Sequence, residues 1–182
     1  MVKKTIIFLT GNKNKLKEVQ DVIGDSVKIT NNDLDLPEIQ STDVLEVVKD
    51  KLDAAIKILK KPCMVDDSGL HFDKLNQFPG ALIKFYYKHL KNKGICKRVG
   101  GSKATAVSVI GYYDGKKKYY FTGKRKGMIP LKPKGKGFGW DPIFIPKIKD
   151  NKKTYAELSS EIKNKISQRT LAVKKLRKHL EK

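Results

Sequence analysis

Thr10-Gly11-Asn12-Lys13-Asn14-Lys15 joins an apolar run, Ile6-Ile7-Phe8-Leu9, to a segment with helical periodicity. A turn from strand to helix presents backbone N–H groups, and the helix dipole adds partial positive charge; together these suit a phosphate. Gly11 lets the backbone approach a ligand closely, and Lys13 and Lys15 add point charges. Asp66-Asp67 follows the apolar Met64-Val65 and precedes Ser68-Gly69. Adjacent carboxylates repel, and burying them without a cation is costly. Neighbours in an extended strand point to opposite faces, so one of the pair can face a cleft and hold a metal or a water while the other braces the loop. Glu38, just after Pro37, offers a further carboxylate of the kind that shares Mg²⁺ with substrate phosphates.

Two later segments suit a nucleobase. Phe138-Gly139-Trp140-Asp141-Pro142 holds the only tryptophan, an aromatic plane for stacking, and Asp141 can accept hydrogen bonds from a base edge. Lys163 and Ser167-Gln168-Arg169 fall on a helical pattern, where Gln168 and Arg169 can read a carbonyl or ring nitrogen. Each segment alone also fits a bland role: a capped helix start, an acidic turn, a solvated loop, a tryptophan anchoring a loop, a polar helix face. The set, in this order, points to cleavage of a nucleotide.

Other chemistries lack their residues. There is no GxxxxGK[ST] loop, no GxSxG elbow at Ser68, and no HExxH among the scattered His71, His89 and His179. Cys63 and Cys96 lack metal spacing and read as reduced thiols of a cytoplasmic protein. The formal charge of +21 over 182 residues attracts polyanions. The lysines are spread along the whole chain, so binding to nucleic acid is expected to be non-specific at most. No apolar run is long enough to span a membrane, and the start at Met1-Val2-Lys3-Lys4 reads as the approach to a buried strand rather than a signal peptide.

The elements needed to position these groups can be read from periodicity. Residues 5–9 predict a strand, 13–23 a helix capped by Asn12 or Asn14, and 27–36 a second strand ended by Pro37. Residues 43–60 predict an amphipathic helix with an Asp43-x-x-Glu46 capping box and Leu45, Val48, Leu52, Ile56 and Leu59 inward. A short strand leads into Asp66-Asp67. Pro79 opens a helix through Lys91, which Gly94 closes. Strands at 104–113 and 117–123 join at Asp114-Gly115, with another near 125–130 and a short one at Ile143-Phe144-Ile145. One helix runs from Ser160 to the end, with Ile162, Ile166, Val173, Leu176 and Leu180 inward. The order predicts one domain over residues 1–182, of α/β or α+β class with a mixed sheet.

Taken together, Thr10-Gly11-Asn12-x-x-Lys15-x-x-Glu18, Leu36-Pro37-Glu38, Asp66-Asp67-Ser68-Gly69-Leu70, Phe78-Pro79-Gly80-Ala81-x-x-Lys84, Gly137-Phe138-Gly139-Trp140-Asp141-Pro142-x-Phe144 and Lys163-x-x-x-Ser167-Gln168-Arg169 resemble the inosine triphosphate pyrophosphatase family. The resemblance spans residues 5 to 177. It implies an elongated, two-lobed fold with a long mixed sheet and a cleft between lobes. It also implies hydrolysis of ITP, dITP and XTP to the monophosphate and pyrophosphate with Mg²⁺ (Mn²⁺ being the alternative), by a cytoplasmic homodimer. On matching positions, Thr10, Gly11, Asn12, Lys13, Asn14 and Lys15 would hold phosphates. Glu38 and Asp67 would bind the metal, with Asp66 a further candidate, and Asp67 would activate water. Ser68 and Lys51 would contact substrate, and Lys84 would touch phosphate or sugar. Phe138, Gly139, Trp140, Asp141, Lys163, Gln168 and Arg169 would surround the base. The family carries Ser-His-Arg where this chain has Ser167-Gln168-Arg169, a change that bears on base preference.

Overall fold

The computed structural model describes residues 4–182; Met1, Val2 and Lys3, part of the expected approach to the first strand, lie outside the described residues. The chain builds one mixed sheet in the order β2-β1-β3-β5-β6-β7, with β4 beside β3. The strands are β1 Lys4–Leu9, β2 Val27–Asn32, β3 Cys63–Phe72, β4 Pro79–Gly80, β5 Lys103–Tyr113, β6 Lys118–Met128 and β7 Ile145–Pro146. The helices are α1 Lys13–Ile23, α2 Val44–Leu59, α3 Ile83–Val99, α4 Ser160–Ile166 and α5 Gln168–Leu180. β1 runs parallel to β2 and β3, and the remaining ladders are antiparallel. The α/β class with a mixed sheet is as expected.

Apolar periodicity places the helices on the sheet. Val19 and Ile23 of α1 and Ala172, Val173 and Leu176 of α5 cover Ile6, Phe8, Met64 and Ile110. Val44, Val48, Leu52 and Ala55 of α2 cover Val65, Val107 and Val109. Ile83, Ile95, Cys96 and Val99 of α3 pack with Leu70, Phe72, Phe144 and Tyr155. Cys63 and Cys96 are buried free thiols in different clusters. No helix among the described residues is long and apolar enough to cross a membrane.

Several boundaries differ from expectation, and strand pairing explains most of them. β2 stops at Asn32 rather than residue 36 because its partner β1 ends at Leu9, opposite Asn32. β3 does not end at the acidic pair: β5 pairs with it from Cys63 to Phe72. β6 is one strand, because pairing with β5 runs unbroken from Lys118 to Met128. Pro79 and Gly80 pair with His71 and Leu70 as β4, so α3 starts later, at Ile83. A break at Lys91 (φ 53°) divides α3, and burial of Ile95, Cys96 and Val99 carries it past Gly94. The apolar 143–145 segment is a 3-10 turn, Asp141–Ile143, followed by the two-residue β7.

Local capping departs from two readings. Asp43 caps α2 by accepting from the Leu45 N–H at 2.7 Å, but Glu46 accepts from Ser41 Oγ instead of closing the box. The C-terminal helix is interrupted at Ser167 (φ −64°, ψ 155°), whose side chain caps α5 by accepting from the Thr170 N–H. Ile162, expected inward, is exposed.

Candidate active site

β3 carries the site because its edge is interrupted. Its parallel pairing with β1 covers only Cys63 and Met64, and its pairing with β4 begins at Leu70. Asp66, Asp67 and Ser68 fall between, beside the turn from β1 into α1. A cleft of about 730 Å³ opens there, and residues from all five sequence segments line it.

On one wall is the phosphate-type turn. Asn12 caps α1, its Oδ1 accepting from the N–H groups of Asn14 and Lys15 at 3.0 and 3.3 Å. Thr10 Oγ1 takes the Asn12 N–H at 3.1 Å. Several amides expected to await a ligand are therefore engaged within the turn; no hydrogen bond engages those of Gly11 and Lys13 among the described residues. Gly11 lies close under the exposed Asp33 carboxylate: a Cβ there would lie 2.0 Å from Asp33 Oδ1, so that side chain would have to swing aside. Thr10, Gly11, Asn12, Asn14, Lys15 and Lys84 line the cleft, whereas Lys13 is exposed and does not.

The two adjacent aspartates have opposite surroundings. Asp66 accepts from Lys15 Nζ at 2.8 Å and from Arg169 Nε at 3.0 Å. Burial would raise its carboxyl, but the pull of Lys15 and then Arg169 overcomes this and holds it at about 2. Asp66 is thus the bracing member of the pair. Asp67 makes no side-chain hydrogen bond among the described residues, and its carboxyl is raised. Burial is the main cause; Lys15 and Lys51 draw it down, while Asp66 and Glu38 push it up. Glu38 accepts from Lys51 Nζ at 3.0 Å. Burial would lower the Lys51 ammonium, but attraction to Asp67 and then Glu38 raises it. Glu38, Asp67 and Lys51 therefore share one electrostatic neighbourhood and one cleft.

The opposite wall is a closed charge network. Lys163 Nζ reaches Asp141 Oδ2 at 2.6 Å and Glu18 Oε1 at 3.0 Å. Arg169 pairs through Nη1 with Glu18, and its Nη2 donates to Ser68 Oγ at 3.1 Å. Three of its five N–H donors are engaged, so Arg169 ties α5 to β3 and α1 while still bordering the cleft. Burial would raise Glu18, but Arg169 and Lys163 lower it; Asp141 is raised, chiefly by burial. Gln168 is buried, its Oε1 accepting from the Tyr155 hydroxyl at 3.1 Å. The exposed ring of the aromatic loop is Phe138, while half-buried Trp140 lies edge-on to Phe144 at 5.8 Å. The plane offered to a base by this loop is thus Phe138 more than Trp140.

Glu18, Asp33, Asp35 and Tyr155 belong to this neighbourhood without having been given a role from sequence. Glu18 had a findable signal, lying one helical turn beyond Lys15 on the same face. Asp33 and Asp35 alternate with Leu34 and Leu36, which is visible but unspecific.

An interrupted mixed sheet, with a capped helix start and an aromatic loop bordering one opening, defines an α/β protein with a nucleotide-sized cleft lined by lysines and carboxylates. A sequence model of the Ham1 family matches residues 6–179, and the chain belongs to the Ham1 family. It is 39% identical over 189 residues to the inosine triphosphate pyrophosphatase of Kluyveromyces lactis, covering 99% of this chain and 97% of that protein. It is 38% identical to the dITP/XTP pyrophosphatase of Methanopyrus kandleri, covering 93% of each. Among solved structures, a Ham1 protein from Coxiella burnetii superposes with a TM-score of 0.82 at 27% identity, over 98% of both chains. The Staphylococcus aureus Ham1 protein gives 0.75 at 31% identity, again over 98% of both.

Proposed function

We propose that this chain is a nucleoside triphosphate pyrophosphatase that hydrolyses the non-standard purine nucleotides ITP, dITP and XTP to the monophosphate and pyrophosphate. The observation that carries the reading is Asp67: a desolvated, unbonded carboxylate in the same cleft as Glu38, between a phosphate-type turn and an aromatic loop. The names of the relatives support the same chemistry.

The donor set fits a hard divalent cation, Mg²⁺ or Mn²⁺. Glu38 and Asp67 offer oxygens alone, and no group of three His, Cys, Asp or Glu side chains suited to a metal is found among the described residues. Two carboxylates bordering one cleft suit an ion that keeps several waters and takes substrate oxygens. When bound by Glu38 and Asp67, it would supply positive charge against the phosphate oxygens. Asp67 orients the attacking water and takes its proton. Lys15, Lys84 and the Gly11 turn hold the phosphates, and Lys51 offsets the charge developing beside Glu38. Phe138 stacks on the base, and Lys163, Asp141 and Arg169 hold the wall behind it.

The proposal extends to a single domain over residues 1–182 acting as a homodimer in the cytoplasm, on the strength of the family resemblance. It is tested with a nucleotide panel (ITP, dITP, XTP, ATP, GTP, UTP) and detection of pyrophosphate. Fast release from the first three, with ATP slower by orders of magnitude, is expected. Comparable ATP and ITP rates would contradict selectivity for non-standard purines.

A further inference from the structure

Tyr155 lies outside every segment singled out for chemistry, yet it is the buried neighbour of the base-side wall. It is 1% exposed, packs on Phe144 at 5.1 Å and on Trp140 at 6.3 Å, and lies 5.7 Å beneath the Lys163 ammonium. Its hydroxyl donates to Gln168 Oε1. We propose that Tyr155 is a positioning residue that fixes the Gln168 carboxamide with Oε1 inward and Nε2 toward the cleft, so that this position acts as a hydrogen-bond donor only and selects a purine with an acceptor at the edge it meets.

The orientation follows from counting donors and acceptors. Gln168 Oε1 is the one acceptor hydrogen-bonded to the Tyr155 hydroxyl among the described residues. Turning the amide over would place Nε2 there and leave the buried hydroxyl proton without an acceptor, which is costly. Burial raises the Tyr155 hydroxyl well above its usual range, so the proton stays in place across physiological pH. With Oε1 occupied, Nε2 has no hydrogen bond among the described residues and is not among the buried unpartnered atoms, while Gln168 borders the cleft. A glutamine held this way does not titrate, and it cannot exchange roles as a histidine does. A 6-oxo purine gives Nε2 an acceptor; a 6-amino purine meets it donor to donor.

The inference rests on the functional reading above, but its test does not use hydrolysis. Trp140, the only tryptophan, lines the cleft, so its fluorescence reports binding of IMP and AMP. The wild-type protein is expected to bind IMP at least about tenfold more tightly than AMP, and Tyr155→Phe to reduce that ratio about tenfold by letting the amide turn. A merely structural role would weaken both ligands alike and leave the ratio unchanged. Gln168→Glu, the second variant, keeps an inward oxygen for Tyr155 and turns an acceptor to the cleft; it is expected to reverse the preference toward AMP. An equal wild-type affinity for the two nucleotides overturns the proposal. So does an unchanged ratio in folded Tyr155→Phe or a retained IMP preference in Gln168→Glu. Failure of the wild-type protein to release pyrophosphate from any triphosphate would instead count against the catalytic reading.

Discussion

Arg169 Nε donates to Asp66 Oδ2 at 3.0 Å, tying the first turn of α5 to the middle of β3 across 103 positions of sequence. The contact separates the two neighbouring aspartates into one held by cations and one left without a side-chain hydrogen bond among the described residues. Asp66→Asn removes the charge that compensates buried Arg169 and Lys15. We expect a loss of about 3–5 kcal/mol in unfolding free energy, the usual consequence of breaking a buried pair, measured by denaturant titration. Asp67→Asn removes a carboxylate whose burial Lys15 and Lys51 offset only in part; we expect stability equal to or above wild type, with turnover lost.

The pH dependence of stability follows from Asp66. Its carboxyl is held at about 2 against an ordinary 3.8, so the folded state favours the charged form. That stabilisation is fully present above about pH 4–5 and disappears as pH falls toward 2, and is on the order of 2 kcal/mol. Glu18, also lowered, acts in the same direction. We expect the stability gap between wild type and Asp66→Asn to shrink steadily from pH 5 to pH 2 in parallel urea titrations.

Gly123, in β6, faces the start of α5: a Cβ there would lie 1.9 Å from the Gln168 carbonyl oxygen and 2.6 Å from the Ala172 nitrogen. Backbone cannot yield as a flexible side chain can. Gly123→Ala should therefore lift the α5 turn that carries Gln168 and Arg169, costing about 1–3 kcal/mol and lowering activity together with stability. Differential scanning calorimetry and the pyrophosphate assay on one preparation check both.

Glu38 is held by Lys51 at 3.0 Å and is proposed as a metal ligand. Glu38→Gln keeps the shape and removes the charge. We expect the Mg²⁺ concentration for half-maximal rate to rise while thermal stability stays near wild type, read from metal titrations at saturating ITP.

Elements whose apolar period matched their burial were legible in the sequence: β1, α1 and α2, and the Asp114-Gly115 turn, where Asp114 Oδ1 accepts from the N–H groups of Lys116 and Lys117. What escaped was set by partners distant in the chain. The strand reads as ending at Asp66-Asp67, but pairing with β5 keeps it extended to Phe72. Ser167 reads as helix interior, yet its hydroxyl caps a new helix. For the site, residue types gave all five segments, and all border one cleft. Which aspartate braces and which faces the cleft was not readable from residue types alone, because it depends on which carboxylate each cation reaches: Lys15 and Arg169 take Asp66 and leave Asp67.

The central claim is that water attacks the innermost phosphorus of a purine triphosphate held in this cleft, with Asp67 taking the proton. Hydrolysis of ITP in ¹⁸O-labelled water, followed by mass spectrometry of both products, tests it most directly. The account requires label in IMP alone, with none in pyrophosphate, and no labelled product from Asp67→Asn. Label in pyrophosphate, or labelled IMP formed at a near-normal rate by Asp67→Asn, would contradict it.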